Sequence, residues 1–145
     1  DAHRDRIIPQ LAHTGVLHFS LHGRFVPHNA LHSGLKLSPL PAEEGFRPTT
    51  RSRVPDILMA RDFLRCGLDA ELVVLSACQT GLNAIHPGDE LEGLTQALLY
   101  AGAASVIVSL WPVDTTATRE FMRAFYASWQ RDGNSRVDAL GKACE

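Results

Sequence analysis

Cysteine is scarce in this chain: Cys66, Cys78 and Cys144 are the only three, and no two of them stand as CxxC. An odd, widely spaced set of thiols argues against a disulfide framework or a zinc knuckle and predicts a reducing, cytoplasmic setting. Missing too is any apolar run near the roughly 18 residues of a membrane span, and no signal peptide is visible. Nor is there a basic excess. With a formal net charge of −2, the chain lacks the basic face expected of a protein that binds nucleic acid or a membrane surface. Its one basic cluster, Arg47, Arg51 and Arg53, falls in a Pro/Thr/Ser-rich stretch that reads as solvated loop.

What is present suits one globular domain. The 145 residues, 45% hydrophobic and 21% charged, can bury a single sizeable core. The chain opens "DAHRDR" and stops at "GKACE", which predicts a piece of a longer protein.

Local pattern divides the chain into alternating elements. Residues 1–13 are weakly helical. Val16 to Leu21 reads as a strand with Leu17, Phe19 and Leu21 on one face and His18, Ser20 and His22 on the other. A second short strand is expected near Leu35 to Ser38, a loop from Pro39 to Pro55, and a short helix in "ILMARDFLRCG" ending at Gly67. Leu72 to Ala77 is apolar on both faces, as a central parallel strand must be. "DELEGLTQALLYAG" reads as a helix capped by Asp89, with Leu91, Leu94 and Leu98 on one stripe and Gly102 at its end. "SVIVSLW" reads as another buried strand. Asp114 then caps a helix whose apolar stripe is Phe121, Met122, Phe125, Tyr126 and Trp129, and a last helix starts near Arg136. The alternation predicts an α/β layered fold with a mostly parallel sheet.

In such sheets the ligand crevice lies outside the carboxyl ends of the strands. One strand ends "SLHG", which places His22 at its terminus with Gly23 next, and another ends "LSAC", which places Cys78 at its terminus with Thr80 and Gly81 forming the turn. If those strands are adjacent and parallel, a thiol and an imidazole converge on one rim. A free thiol with a pKa of about 8.5 is mostly protonated at neutral pH, so attack through sulfur needs a base. The same imidazole returns a proton to the leaving amine. Backbone N–H groups at Gly23 and Cys78 can hold the oxyanion, each such donor being worth about 10²–10³ in rate. Cys78 lies 56 residues after His22, near the separation of about 50 between histidine and cysteine in caspases. Blander readings stand beside this one: a small buried cysteine and a hydrogen-bonded rim histidine.

Seven histidines invite a metal reading. His18 and His22 share a strand face about 13 Å apart, too far for one zinc ion, and His28, His32 and His86 fall in loops without ligand spacing. Neither a metal nor a cofactor is expected.

The blocks "VLHFSLHG", "LHSGLKLS", "AELVVLSACQTG", "GDELEGLTQALLYAGAASVIVSLWPVD" and "FMRAFYASW" resemble, in order, those of the CHAT domain. That is a family of caspase-like, clan CD cysteine peptidase domains that often follow tetratricopeptide repeats. The resemblance covers the chain from about Val16 onward. It implies a caspase-like three-layer α/β/α sandwich, His22 as catalytic histidine, Cys78 as nucleophile and Gly23 as an oxyanion-hole amide. It also implies a polypeptide substrate and an upstream sensing module, of tetratricopeptide or other type, that regulates activity. Two positions depart from the family pattern: Leu21 where Thr is commoner and Gln79 where Glu is. Gln79 removes a charge beside the thiol, so any specificity tied to that acid is open. By resemblance to separases, Asp114 selects a basic residue before the cut, although helix capping accounts for it equally. Asp89 and Glu90 resemble positions near the cleft, and Trp111 is core or pocket wall. Two other functions stay open: an interaction scaffold with little activity, and a thiol hydrolase of small esters or amides.

Overall fold

Every residue of β5 (Leu72–Leu75) is buried, and its four side chains, LVVL, leave it no polar face. It is the middle strand of a parallel sheet of order β1-β5-β6, with β1 spanning Val16–Phe19 and β6 Val106–Val108. The computed structural model describes residues 4–24, 26, 29–37, 57–76, 89–109 and 114–145, with backbone alone at residues 5 and 89–92. These fall into two compact units, Asp1–Pro112 and Val113–Glu145. The class is α/β, as the alternation of elements predicts.

In the first unit the register Leu17↔Val73↔Val106 and Phe19↔Leu75↔Val108 lines up one apolar face of the sheet. Three helices pack into the same core: Leu11 from α1 (Arg4–Leu11), Phe63 from α2 (Ala60–Cys66), and Leu94, Ala97, Leu98 and Ala101 from α3 (Asp89–Ala101). The i, i+3, i+4, i+7 spacing of the α3 residues is one helical face, so a single stripe meets the sheet layer. Phe63 packs edge-on against Phe19 with ring centroids 6.0 Å apart, and full burial of such a side chain contributes about 1.5–3 kcal/mol. The opposite sheet face carries Leu72 and Val74, both wholly buried.

The hairpin-like insertion is a second sheet. It is antiparallel, of order β2-β3-β4, with β2 at Gly23–Arg24, β3 at Gly34–Lys36 and β4 at Ile57–Met59. Sequence pattern places β3 one or two residues late and absorbs β4 into the helix that follows. Three-residue strands carry too little alternation to be distinguished from a helix start. α2 itself is found, with Gly67 at its end at φ +70°. β6 differs from expectation in burial: it is half-buried along its length, because among the described residues it hydrogen-bonds to one neighbour only. The expected loop at 39–55 lies outside the described residues.

In the second unit, Asp114 caps α4 (Thr115–Tyr126) by accepting hydrogen bonds from the Thr116 and Ala117 amides, both 2.9 Å. Met122 and Phe125 of the expected stripe are buried, and Phe125 meets Tyr126 edge-on with ring centroids 5.2 Å apart and lies tilted against Trp129 at 5.9 Å. Trp129 sits on a π-helical turn, Ala127–Arg131, rather than on a continued α-helix. α5 (Arg136–Ala143) begins where expected, with Ser135 accepting from the Asp138 amide and the Arg136 guanidinium over the Trp129 ring at 5.9 Å, a cation–π contact.

Candidate active site

The adjacency on which the sequence reading depends is present: β1 and β5 are neighbours, parallel, and paired Val16↔Leu72 through Phe19↔Leu75. The ladder runs one bond further, the Ser76 amide donating to the Phe19 carbonyl at 2.9 Å. The constant offset along these pairs is 56 residues, the same as the separation of His22 from Cys78. Each therefore lies three residues beyond the last paired position of its strand. Cys78, Gln79 and Trp111 themselves lie outside the described residues, as does the side chain of Asp89, which is the first residue of α3.

β1 is two residues shorter than the sequence suggests. It ends at Phe19, and His22 sits in the short passage between β1 and β2, with an exposed side chain. Its backbone is nonetheless held. The Lys36 amide donates to the His22 carbonyl at 2.8 Å, extending the β2–β3 register Gly23↔Leu35 and Arg24↔Gly34 by one pair. In an antiparallel ladder, hydrogen-bonded and non-hydrogen-bonded pairs alternate. With His22 bonded toward β3, Gly23 is of the other kind, and its N–H and C=O point away from β3. β2 is an edge strand among the described residues, so the Gly23 amide faces the open edge. Gly23 is itself buried and has no side chain to obstruct an approaching carbonyl.

His18 lies within β1 itself. It pairs with Val74 in register, and desolvation lowers its pKa below the ordinary histidine value, which favours the neutral ring. Asp114 is in the second unit, exposed, with Oδ1 taken by the two amides of its helix cap. What sequence reading missed is the cross-strand neighbour of His22: a hairpin joined through the 3-10 turn Ala30–His32 hides the His22–Lys36 pairing, and only the alternation of "GLKL" hints at which residues share a face.

Comparison with known proteins accords with this geometry. Over an 87-residue stretch, 60% of this chain, it is 46% identical to Tetratricopeptide repeat protein 28 of Mus musculus. It is 42% identical to the Homo sapiens protein of the same name over an equal length. The matched stretch is only 4% and 3% of those two proteins, so the chain spans a small fraction of the curated relatives it matches. A family model described as the CHAT domain matches residues 1–144, nearly the whole chain. CHAT domains have a caspase-like fold and are commonly associated with tetratricopeptide repeats. On the strength of that match, and of a parallel pair of strands leading into the HG and SAC segments, the chain belongs to the CHAT domain family.

Proposed function

We propose that this domain is a cysteine endopeptidase in which Cys78 is the nucleophile and His22 the acid and base. His22 takes the thiol proton, and Cys78 Sγ forms a bond to the scissile carbonyl carbon. The oxyanion is held by the amides of Gly23 and Cys78. The C–N bond then breaks as His22 returns the proton to the leaving amine, and water, activated by the same imidazole, releases the acyl group. No cofactor enters this scheme. The observation that carries the reading is the register of β1 with β5: the 56-residue offset of the paired strands equals that between imidazole and thiol, and neighbouring strands lie about 4.8 Å apart. The outward turn of the Gly23 amide supports it.

Gln79, Asp89 and Trp111 belong to the proposed substrate cleft, and Asp114 to recognition of a basic residue before the cut. An upstream tetratricopeptide module would gate the activity, as the names of the matched relatives suggest. The domain of the proposal is residues 1–145 as the C-terminal part of a larger peptidase region.

A peptidyl electrophile tests the chemistry. Cys66 is half-buried and Cys144 exposed, so a small alkylating agent will mark Cys144 without regard to mechanism. The peptidyl reagent should instead mark Cys78 and lose that selectivity in His22→Ala, with peptide cleavage falling by about 10²–10⁴. Labelling of Cys78 no faster than of Cys144, with no peptide cleaved in the presence of the upstream repeats, would favour the interaction-scaffold reading.

A further inference from the structure

One face of the second sheet packs into the core cluster; the other carries the charges at its His22 end and the buried Ile57 at its far end. The pairs His22–Lys36, Arg24–Gly34, Lys36–Ile57 and Gly34–Met59 put His22, Arg24, Lys36, Ile57 and Met59 on one side. Gly23, Leu35 and Leu58 are on the other. Leu35 and Leu58 are wholly buried in the core cluster, as is nearly all of Leu37. Arg24 is exposed and Lys36 half-buried, and neither pairs with a carboxylate among the described residues. Two cations thus flank the imidazole on the same face, Lys36 directly opposite it across the ladder and Arg24 two residues along, about 7 Å away.

Resting on the reading of His22 and Gly23 given above, we propose that Arg24 and Lys36 determine substrate specificity by binding acidic side chains of the peptide beside the scissile bond. The open edge of β2 presents the Gly23 N–H and C=O to an extended chain, which can add to it as a further strand. Side chains of such a strand recur on one face about every 7 Å, the interval from His22 to Arg24. A glutamate or aspartate on that face meets a cation that pairs with no carboxylate among the described residues, whereas a lysine or arginine there meets like charge. The selected occupant is an acidic peptide.

The test uses the intact chain carrying Cys78→Ala, so that binding is read without turnover. A fluorescent peptide with glutamates at alternate positions is compared by polarisation with its glutamine isostere. The glutamate peptide should bind about tenfold more tightly at low salt, with most of the difference gone near 0.5 M salt, where screening is strong. Arg24→Gln with Lys36→Gln should erase the preference, and Lys36→Arg, which keeps the charge and the strand, should retain it. Equal binding of the two peptides, no binding of either, or a preference that survives the double substitution overturns the proposal. Cleavage by the unsubstituted chain is read in parallel: a binding preference without cleavage sinks the catalytic assignment and leaves the acidic recognition standing.

Discussion

Replacing Asp62 offers a quantitative test of how the first unit holds its second sheet against its helices. The carboxylate is nearly buried, with 5% of its side chain exposed, and accepts from Arg4 at 2.7 and 3.3 Å and from the Met59 amide at 2.9 Å. It therefore does two things at once. It satisfies an orphan donor at the start of α2, and it ties α1 to the junction of β4 with α2. Losing the cap costs about 1 kcal/mol. Losing the charged bond to Arg4 would cost more in a sealed site, but Arg4 is 36% exposed and can rehydrate, so about 1 kcal/mol is expected rather than the 3–5 kcal/mol of a stranded buried ion. Asp62→Ala should thus destabilise by about 2–3 kcal/mol in urea unfolding followed by circular dichroism. Asp62→Asn keeps an acceptor for the Met59 amide and should lose only about half of that. pH gives a second readout. Burial by itself would raise the Asp62 pKa, but the hydrogen bonds from Arg4 and Met59 and the charges of Arg4 and Arg61 outweigh it, and the net value is lowered. A carboxyl depressed in the folded state contributes stability above its unfolded pKa and loses it as pH falls through the folded one. Wild type should therefore weaken on acidification below about pH 4 more steeply than Asp62→Asn. Equal costs for the two substitutions, or identical acid limbs, would refute this division between cap and ion pair.

Three further outcomes are expected. Gly102 ends α3 at φ +118°, and a Cβ there would fall on the Leu68 carbonyl, so Gly102→Ala should cost well over the about 1–2 kcal/mol of left-handed strain that Gly67→Ala, in open space at φ +70°, incurs alone; thermal unfolding of both variants checks the order. His18 has its pKa lowered by burial, so the unfolded chain takes up its proton first and stability should fall as pH drops below about 6.5; His18→Gln should flatten that segment of a stability–pH curve. Asp114→Ala should fray α4 at a cost of about 1 kcal/mol, and Asp114→Asn much less; a positional peptide library on both variants reads the basic-residue preference separately, and full retention in Asp114→Ala removes that residue from the substrate cleft.

Much of the architecture is legible in the chain because long periodic elements advertise themselves. The α3 stripe, the Asp114 cap and the all-apolar "LVVL" each need only local information, and each is found. For the proposed site, the sequence supplies the candidates. HG and SAC stand out as polar segments after apolar runs, and equal spacing with the strand offset makes the pair coherent. The ends of the strands were not legible: β1 stops at Phe19 although the apolar alternation runs on to Leu21, because the chain leaves one sheet for another there and alternation by itself carries no record of its partner.

The sequence by itself determined the class of the fold and its longer elements, among them β5, α3 and α4, and it singled out the two residues proposed for thiol chemistry, since these follow from side-chain polarity and short-range periodicity. Tertiary structure alone decided that β1 lies beside β5, paired Val16↔Leu72 through Phe19↔Leu75, that the Gly23 amide turns away from β3 on a strand with no other neighbour among the described residues, and that Lys36 faces His22 across a ladder. Those are facts of hydrogen bonding between segments far apart in the chain, and pairing direction and register are chosen by the packing of whole faces against one core.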